Sequence, residues 1–288
     1  MILKKKKFVN FNIATSFDEI LKNIKLQLNG TILAIIEIKE DNLKSRIINS
    51  FENFARENKD IQPKGKENEK QIKNSDIYIN GKQIDWNYYY IFPKRGKYKI
   101  EYIFHDLLES TSYLFEGCEN LIEIDLSYFN TDNVTEMNSM FFDCKSLINI
   151  NLSNFKTENT TNMEFMFMGC HALKSLDLSS FNTEKVVDMS AMFSSCKSLT
   201  ELNLSNFITK NVTRIDTMFM FCSNLRYLNL INFTTEKVET TLFIGIFLNC
   251  LSLTKESLIT NDKLLLNNFT QNKLFENYYK FFKMNKKK

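Results

Sequence analysis

Residues 140–155 of this chain are MFFDCKSLININLSNF, and residues 192–207 repeat them as MFSSCKSLTELNLSNF. The cysteines follow the same periodicity, because successive ones are separated by 26, 26, 26, 26 and 28 residues. Their positions are Cys118, Cys144, Cys170, Cys196, Cys222 and Cys250. A constant period of about 20 to 50 residues indicates a repeat protein, in which one unit buries its apolar face only by stacking on its neighbours.

Each of the first five units carries the pattern L-x-x-L/I-x-L-x-x-F, which in the first unit is Leu121, Ile124, Leu126 and Phe129. This is the leucine-rich-repeat pattern with Phe in place of the usual Asn or Cys. The apolar–polar alternation at its centre predicts one short parallel strand per unit. Apolar residues at steps of three predict one or two helical or 3₁₀ turns behind the strand, and a corner threonine such as Thr131 is expected to cap the following turn.

The predicted fold class is therefore an α/β solenoid, a leucine-rich-repeat-like right-handed coil with a parallel strand ladder, preceded by a small α+β domain. We assign residues 1–96 to the N-terminal α+β domain, whose β-hairpins lead into the cap. Residues 97–261 form the solenoid of 26-residue units with its cap rungs. Residues 262–288 are predicted to form a C-terminal capping helix and a basic tail. The apolar residues of this helix are Leu265, Phe269, Leu274, Phe275, Tyr278 and Phe282.

The N-terminal domain has its own pattern of elements. A β-branched run predicts a strand at 31–39, and an apolar face predicts a helix from about 42 to 58 with Asp41 as its cap. The charged stretch 59–76 is expected to be a loop. The Asn80-Gly81 dipeptide predicts a hairpin within 77–84, because both residues accept the positive φ of a mirror-image turn.

The repeat units resemble the BspA-like leucine-rich-repeat surface-protein family. The likeness is carried by residues 140–155, by their copy at 192–207 and by the corner sequence FNTDNVTEM at 129–137. It covers roughly half of the chain, about residues 110–250. The resemblance implies a repeat scaffold used for adhesion or protein contact, often secreted or lipid-anchored, with no catalytic residues to carry over.

Composition and charge restrict the function further. The 37 Lys+Arg and 34 Asp+Glu leave a formal charge of +3, far from the basic balance of a dedicated nucleic-acid binder. No apolar run approaches the ~20 residues that a membrane-spanning helix requires. The start of the chain lacks the apolar stretch of a secretory signal. We therefore expect a cytoplasmic location for the chain as written, with a cell-surface location as the alternative that the resemblance implies.

The cysteines and methionines have the sequence positions of core residues and not of a catalytic site. Each cysteine lies in an apolar series and no C-x₂-C pair is present, so we expect buried, reduced thiols and no metal site. The methionines that recur with Met137 and Met140 have the spacing of core residues. With two histidines and no Gly-rich phosphate loop, neither a catalytic residue nor a cofactor is predicted, and we expect no enzymatic activity.

The outward positions of the predicted strands are the candidate binding site for a protein or peptide ligand. They are Glu123, Asp125, Asn149, Asn151, Ser175, Asp177, Glu201, Asn203, Tyr227, Asn229 and Ile231. None is Lys or Arg, so this surface should repel nucleic acid and admit an extended polypeptide or a basic loop. Tyr227 and Ile231 are the expected anchors at one end.

The predicted function is a non-enzymatic scaffold for protein–protein interaction through this strand surface. Three alternatives stay open from the sequence. In the first, these outward residues are only solvated and the partner binds elsewhere. In the second, the chain is a cell-surface adhesin. In the third, the repeats are a docking arm for an N-terminal enzyme or regulatory domain.

Overall fold

The computed structural model describes residues 30–60, 62, 64–239 and 245–285, with side chains described as far as residue 274. The strands are β1 (Thr31–Ile38), β2 (Leu43–Arg46), β3 (Ser75–Ile79), β4 (Lys82–Ile84), β5 (Tyr89–Phe92), β6 (Gly96–Phe104), β7 (Leu121–Asp125), β8 (Asn149–Asn151), β9 (Glu201–Asn203), β10 (Tyr227–Asn229) and β11 (Leu258–Ile259). The helices are α1 (Phe51–Glu57), α2 (Glu69–Lys73) and α3 (Lys263–Asn285).

A mixed sheet joins the N-terminal region to the repeats. Its strand order is β4-β3-β6-β1-β7-β8, in which β1 is antiparallel to both β6 and β7, and β7 is parallel to β8. The sequence predicts the first repeat strand at residues 97–104. That segment is β6, which pairs with β1 and β3, so the parallel ladder begins one unit later at β7. Strand β1 takes the neighbouring place because its inward residues, including Ile32 and Ile36, extend the core.

The N-terminal elements differ from the predicted ones in two places. The helix predicted at 42–58 is wrong in its first half, because β2 pairs with β5 and the helix starts only after Ser50. The Ser50 hydroxyl accepts a hydrogen bond from the Asn53 N–H, which fixes this helix start. The predicted loop at 59–76 contains α2 and the start of β3. The hairpin is confirmed, with φ of 49° at Asn80 and 77° at Gly81.

The repeat region is built around a column of stacked phenylalanine rings. Adjacent rings lie 5.6–5.9 Å apart with interplanar angles of 2–8°. The members are Phe115, Phe141, Phe167, Phe193, Phe219 and Phe247, all fully buried. Tyr102 packs edge-on against the first ring and Phe269 against the last. The column therefore fixes the register of the whole repeat region and has an aromatic cap at each end.

The strands of the repeats are short and parallel. Strand β8 pairs with β7, and β9, β10 and β11 form a second ladder. Residues 175–177 occupy the corresponding place in the third unit but do not form a regular strand. Leu176 in that unit still points inward and is 9% exposed. The predicted alternation is thus confirmed by burial even where ladder bonding is interrupted.

The opposite side of each unit, here called the turn side, contains hydrogen-bonded turns. The prediction of helical or 3₁₀ turns is wrong, because none is present between residues 105 and 257 in the described part of the chain. Backbone N–H groups alternate between a partner in their own turn, as from Cys144 to the Phe141 carbonyl, and a partner in the next unit, as from Phe141 to the Met166 carbonyl. Since half of the bonds run between units, a helix cannot propagate.

The corner threonines also bond between units. The Thr131 hydroxyl donates to the Lys156 carbonyl (2.9 Å) and accepts from the Lys156 N–H (2.8 Å). The expected cap of its own turn is therefore wrong. The same paired bonds join Thr157 to Asn182, Thr183 to Ile208, and Thr209 to Thr234. Each hydroxyl satisfies one donor and one acceptor of the next unit, which explains why a threonine recurs there.

A segment of the N-terminal region also crosses the turn side. The Lys64 ammonium pairs with the buried Glu164 carboxylate at 3.0 Å. The Lys66 ammonium reaches the Thr135 hydroxyl at 2.8 Å, and the Asn68 amide donates to carbonyls of the first turn. The N-terminal region is thus attached to the repeats on two sides, through β1 and through this segment.

Helix α3 covers the last unit, as the sequence predicts. Leu265 and Phe269 are buried against it, whereas Leu274, also predicted on the apolar face, is 64% exposed. The remaining predicted contacts, Phe275, Tyr278 and Phe282, belong to the part of the helix whose side chains are not described. Two basic clusters of the sequence, Lys4–Lys7 and Lys286–Lys288, lie outside the described residues.

Candidate interaction surface on the strands

The outward side chains of β6, β1 and the repeat strands form one surface, which we call the strand face. Strand register places Glu101, Leu33, Asp125 and Asn151 in one row across four strands. It places Lys99, Ile35, Glu123 and Asn149 in a second row. Because β1 lies between β6 and β7, the strand face extends from the repeats into the N-terminal region.

Eight of the eleven predicted site residues are outward residues of the repeat strands. Ser175 and Asp177 occupy the corresponding place in the third unit, and Ile231 lies two residues after β10. Their exposure differs. Glu123, Asp125, Asn229 and Ile231 are half-buried. The others are exposed: Asn149, Asn151, Ser175, Asp177, Glu201, Asn203 and Tyr227. The phenol ring of Tyr227 is the largest of these side chains and is 40% exposed.

One outward residue of each repeat strand forms a hydrogen bond to the backbone of its own unit. The Asp125 side chain accepts a hydrogen bond from the Ser127 N–H at 2.9 Å. Equivalent bonds are accepted by Asn151, Asp177, Asn203 and Asn229 from the backbone two residues further on. These Asx turns close the end of each strand. At Asp177 the Ser179 N–H holds the pKa of the carboxyl below its usual value, so this group is anionic at neutral pH.

The strand face contains two hollows. The first, here called the junction hollow, has a volume of about 530 Å³ and lies where β1 meets the repeats. Its lining includes aliphatic side chains, namely Leu33, Ile35, Ile148 and Ile150, and the charged side chains Lys99, Glu123, Asp125 and Asp177. The second has a volume of about 390 Å³ and is lined by Glu201, Asn203 and Tyr227, among others. Tyr227, one of the two predicted anchors, therefore lines a concave surface. The other predicted anchor, Ile231, does not line this hollow.

Sequence reasoning missed the contribution of the N-terminal region to this surface. Leu33, Ile35 and Lys99 line the junction hollow because β1 is inserted antiparallel to β7, a pairing that no repeat pattern encodes. A signal was nevertheless present. The run from 31 to 38 is apolar at both alternating sets of positions, which is typical of a strand that is covered or contacted on both faces.

Comparison with known families agrees with the repeat architecture. The family model described as Mycoplasma protein of unknown function, DUF285, matches residues 104–198, 148–259 and 174–284. The chain belongs to this family. The overlapping matches together span 104–284 and contain every repeat unit defined by the cysteines. No curated protein and no solved structure matches the chain.

In this DUF285 chain the cysteines are core residues. All six are free and buried, as predicted. From the second unit onward each thiol donates to a phenylalanine carbonyl of the preceding unit, for example Cys196 to Phe167 at 3.2 Å. Burial raises the pKa of the Cys196 thiol well above its usual value. The described residues contain no group of metal-ligating side chains, and no described helix is long and apolar enough to cross a bilayer.

Ionisable groups of the N-terminal region pair with one another. The Arg46 guanidinium contacts the Glu57 carboxylate and the Tyr89 hydroxyl, each at 2.5 Å. Arg56 binds Glu69 through two hydrogen bonds, at 2.7 and 3.0 Å. Hydrogen bonding from Arg56 holds the pKa of Glu69 far below its usual range. These groups form structural ion pairs that attach β2, α1 and α2 to one another.

Proposed function

We propose that this DUF285 chain is a non-enzymatic scaffold that binds an extended segment of another protein along its strand face. We further propose that its repeats form a right-handed, leucine-rich-repeat-like solenoid of the BspA-like type. The observation that carries the first proposal is the pair of adjoining hollows on the strand face, which share Ser175 and Asp177. The outward side chains of this face are set in rows by strand register.

The charge of the face favours a basic segment. Four carboxylates of the repeats lie on it, from Glu123, Asp125, Asp177 and Glu201, and Lys99 is the one cation among the lining residues of the two hollows. Phosphate recognition needs cationic contacts, which argues against nucleic acid. Lysine or arginine side chains in the partner segment would increase its association rate with this face and the specificity of binding.

The rigidity of the face favours binding of a flexible partner. The phenylalanine column and the threonine bonds connect successive units, and the Asx turns hold one outward residue of each unit by a bond to its own backbone. A preorganised surface loses little conformational entropy on association, so the ordering cost falls on the partner segment alone. Asn149, Asn151 and Asn203 are exposed along the face and add amide donors and acceptors.

The test is selection of peptides on the full chain followed by charge reversal on its surface. Random peptides of about 12 residues, which extend to roughly 40 Å, are displayed and selected on the purified protein, and the affinities of selected sequences are measured by fluorescence anisotropy. Glu123→Lys with Glu201→Lys should weaken binding about tenfold or more. These two carboxylates are chosen because they do not form the Asx turns.

The matched control is Glu158→Lys with Glu236→Lys, which makes the same charge change at exposed corners of the repeats, away from the strand face. This pair should leave affinity nearly unchanged. If no selected peptide distinguishes the two double variants, or if no peptide is selected, the proposed function is wrong.

A further inference from the structure

The junction hollow is assembled from two parts of the chain that are far apart in sequence. Leu33 and Ile35 come from β1, in register with Asp125 and Glu123 of the first repeat strand. Ile148 and Ile150 come from the second repeat. Removal of either part would leave half of a hollow.

The floor of this hollow is apolar although it faces solvent. Ile148 is 42% exposed, and Leu33 and Ile35 are half-buried. Ile150 is half-buried at the edge of the core, against which it packs. Partly exposed aliphatic side chains that line a concave surface are typical of a binding site. Removing their apolar area from water is favourable, so a bulky apolar side chain is the occupant that gains most here.

The charges around the floor are unequally distributed. Glu123, Asp125 and Asp177 lie on the repeat side, while Lys99 lies on the opposite side, directly across β1 from Glu123 through Ile35. A cation next to an apolar anchor would meet carboxylates from the first and third units. These carboxylates would repel an anion in that place. The charge pattern therefore favours a partner segment with a cationic residue next to its apolar anchor.

Building on the proposed function, we propose that the N-terminal region completes the binding site, and that the junction hollow takes a large aliphatic or aromatic side chain of an extended partner segment with a Lys or Arg close to it in sequence. The second hollow then holds a more distant part of the same segment beside Tyr227. This gives residues 30–104 a direct part in recognition, beyond covering the first repeat.

The experiment uses the full chain and the selected peptides described above. Their sequences should be enriched in a bulky apolar residue with Lys or Arg within about two positions. In an extended segment, residues two positions apart point to the same side. Leu33→Ser with Ile35→Ser should weaken their binding about tenfold or more, which corresponds to ~1.4 kcal/mol. Ile148→Ser tests the same hollow from the repeat side and should also weaken binding.

The matched control is Ile91→Ser, which removes an aliphatic side chain that is 61% exposed on β5, outside the hollow. It should leave affinity unchanged, and circular dichroism should show that all variants are folded. Peptides that depend on Glu123 and Glu201 but bind the Leu33/Ile35 and Ile148 variants normally would overturn this inference and leave the proposed function intact. Sedimentation that shows a dimer dissociated by Leu33→Ser with Ile35→Ser would also overturn it, since the occupant would then be a second copy of this chain.

Discussion

The Asp262 carboxylate accepts hydrogen bonds from both the Thr235 N–H (2.9 Å) and the Thr235 hydroxyl (2.8 Å). In four preceding units the equivalent threonine bonds to the backbone of the next unit. At the end of the repeats one side chain replaces that backbone. Its other oxygen accepts from the N–H groups of Leu264 and Leu265, so Asp262 also caps α3. A single residue thus ends the threonine column and starts the covering helix.

Asp262→Ala should therefore destabilise the chain by about 1–3 kcal/mol, because it removes a helix cap and a charge-assisted bond to a buried threonine. Urea unfolding monitored by circular dichroism measures the loss. Asp85→Ala, at an exposed position with no hydrogen bond to its side chain among those described, should stay within about 0.5 kcal/mol of the native value. Equal stabilities of the two variants would show that Asp262 has no such role.

Thr183→Val should cost about 1–3 kcal/mol. Valine has nearly the same shape, but it leaves the Ile208 N–H without the hydroxyl that accepts its bond at 2.8 Å, and Thr183 is fully buried. Thr200→Val is the control, since Thr200 is exposed and its hydroxyl makes only a long contact of 3.4 Å. A stability of Thr183→Val at the level of Thr200→Val would contradict the bonding between units.

Glu164→Gln should change how stability depends on pH. Burial and the nearby Asp188 raise the pKa of Glu164, although Lys64 and Arg214 oppose the shift. The folded chain then holds this proton more tightly than the unfolded chain, so the free energy of unfolding falls as pH rises from about 4, near the unfolded pKa, through the raised value. The variant should lack this decrease, and its advantage over the native chain should grow toward neutral pH.

Glu69→Gln should change the pH dependence of stability in the opposite direction. The pKa of Glu69 is lowered by hydrogen bonding from Arg56, so its stabilisation is present at neutral pH and is lost as pH falls. This variant should be less stable than the native chain at neutral pH and approach it in acid. Urea unfolding across the pH range measures both variants, and parallel pH profiles for the two would contradict the assigned environments.

The native chain should not react with a thiol reagent such as dithionitrobenzoate. All six thiols are buried, so no reagent reaches them. Burial also raises the pKa of five of them, so these form little thiolate; they are Cys118, Cys144, Cys170, Cys196 and Cys222. Addition of denaturant should release all six at once. Rapid reaction of even one thiol under native conditions would show that its place in the core is wrong.

The repeat region was predictable because its information is local and periodic. The cysteines, spaced 26 residues apart and 28 at the last step, set the register of the units, and the same register aligns Phe141 with Phe167, whose rings stack. The partners of polar groups were less predictable. A hydroxyl such as that of Thr131 has local and distant partners of equal chemistry, and only the close approach of the next unit decides between them.

The site was predictable only in its repeat half. Outward residues such as Glu123 and Asp177 follow from the alternation of each strand. The place of Leu33 and Ile35 depends on which strand pairs with β7, a contact between segments about ninety residues apart in sequence that leaves no periodic trace. The helix predicted from residue 42 was wrong for a related reason, since pairing of β2 with β5 outweighed an apolar pattern that also suits a helix.

The strand face exists only if the repeats stack on one another. Crystallography of the selenomethionine-labelled protein tests this stacking most directly. Met140, Met166, Met192 and Met218 occupy the same place in successive units and are fully buried. Anomalous scattering should locate their four selenium atoms in a nearly straight row, with neighbours roughly 5–6 Å apart, close to the spacing of adjacent strands. Selenium positions scattered without such a row would contradict the account.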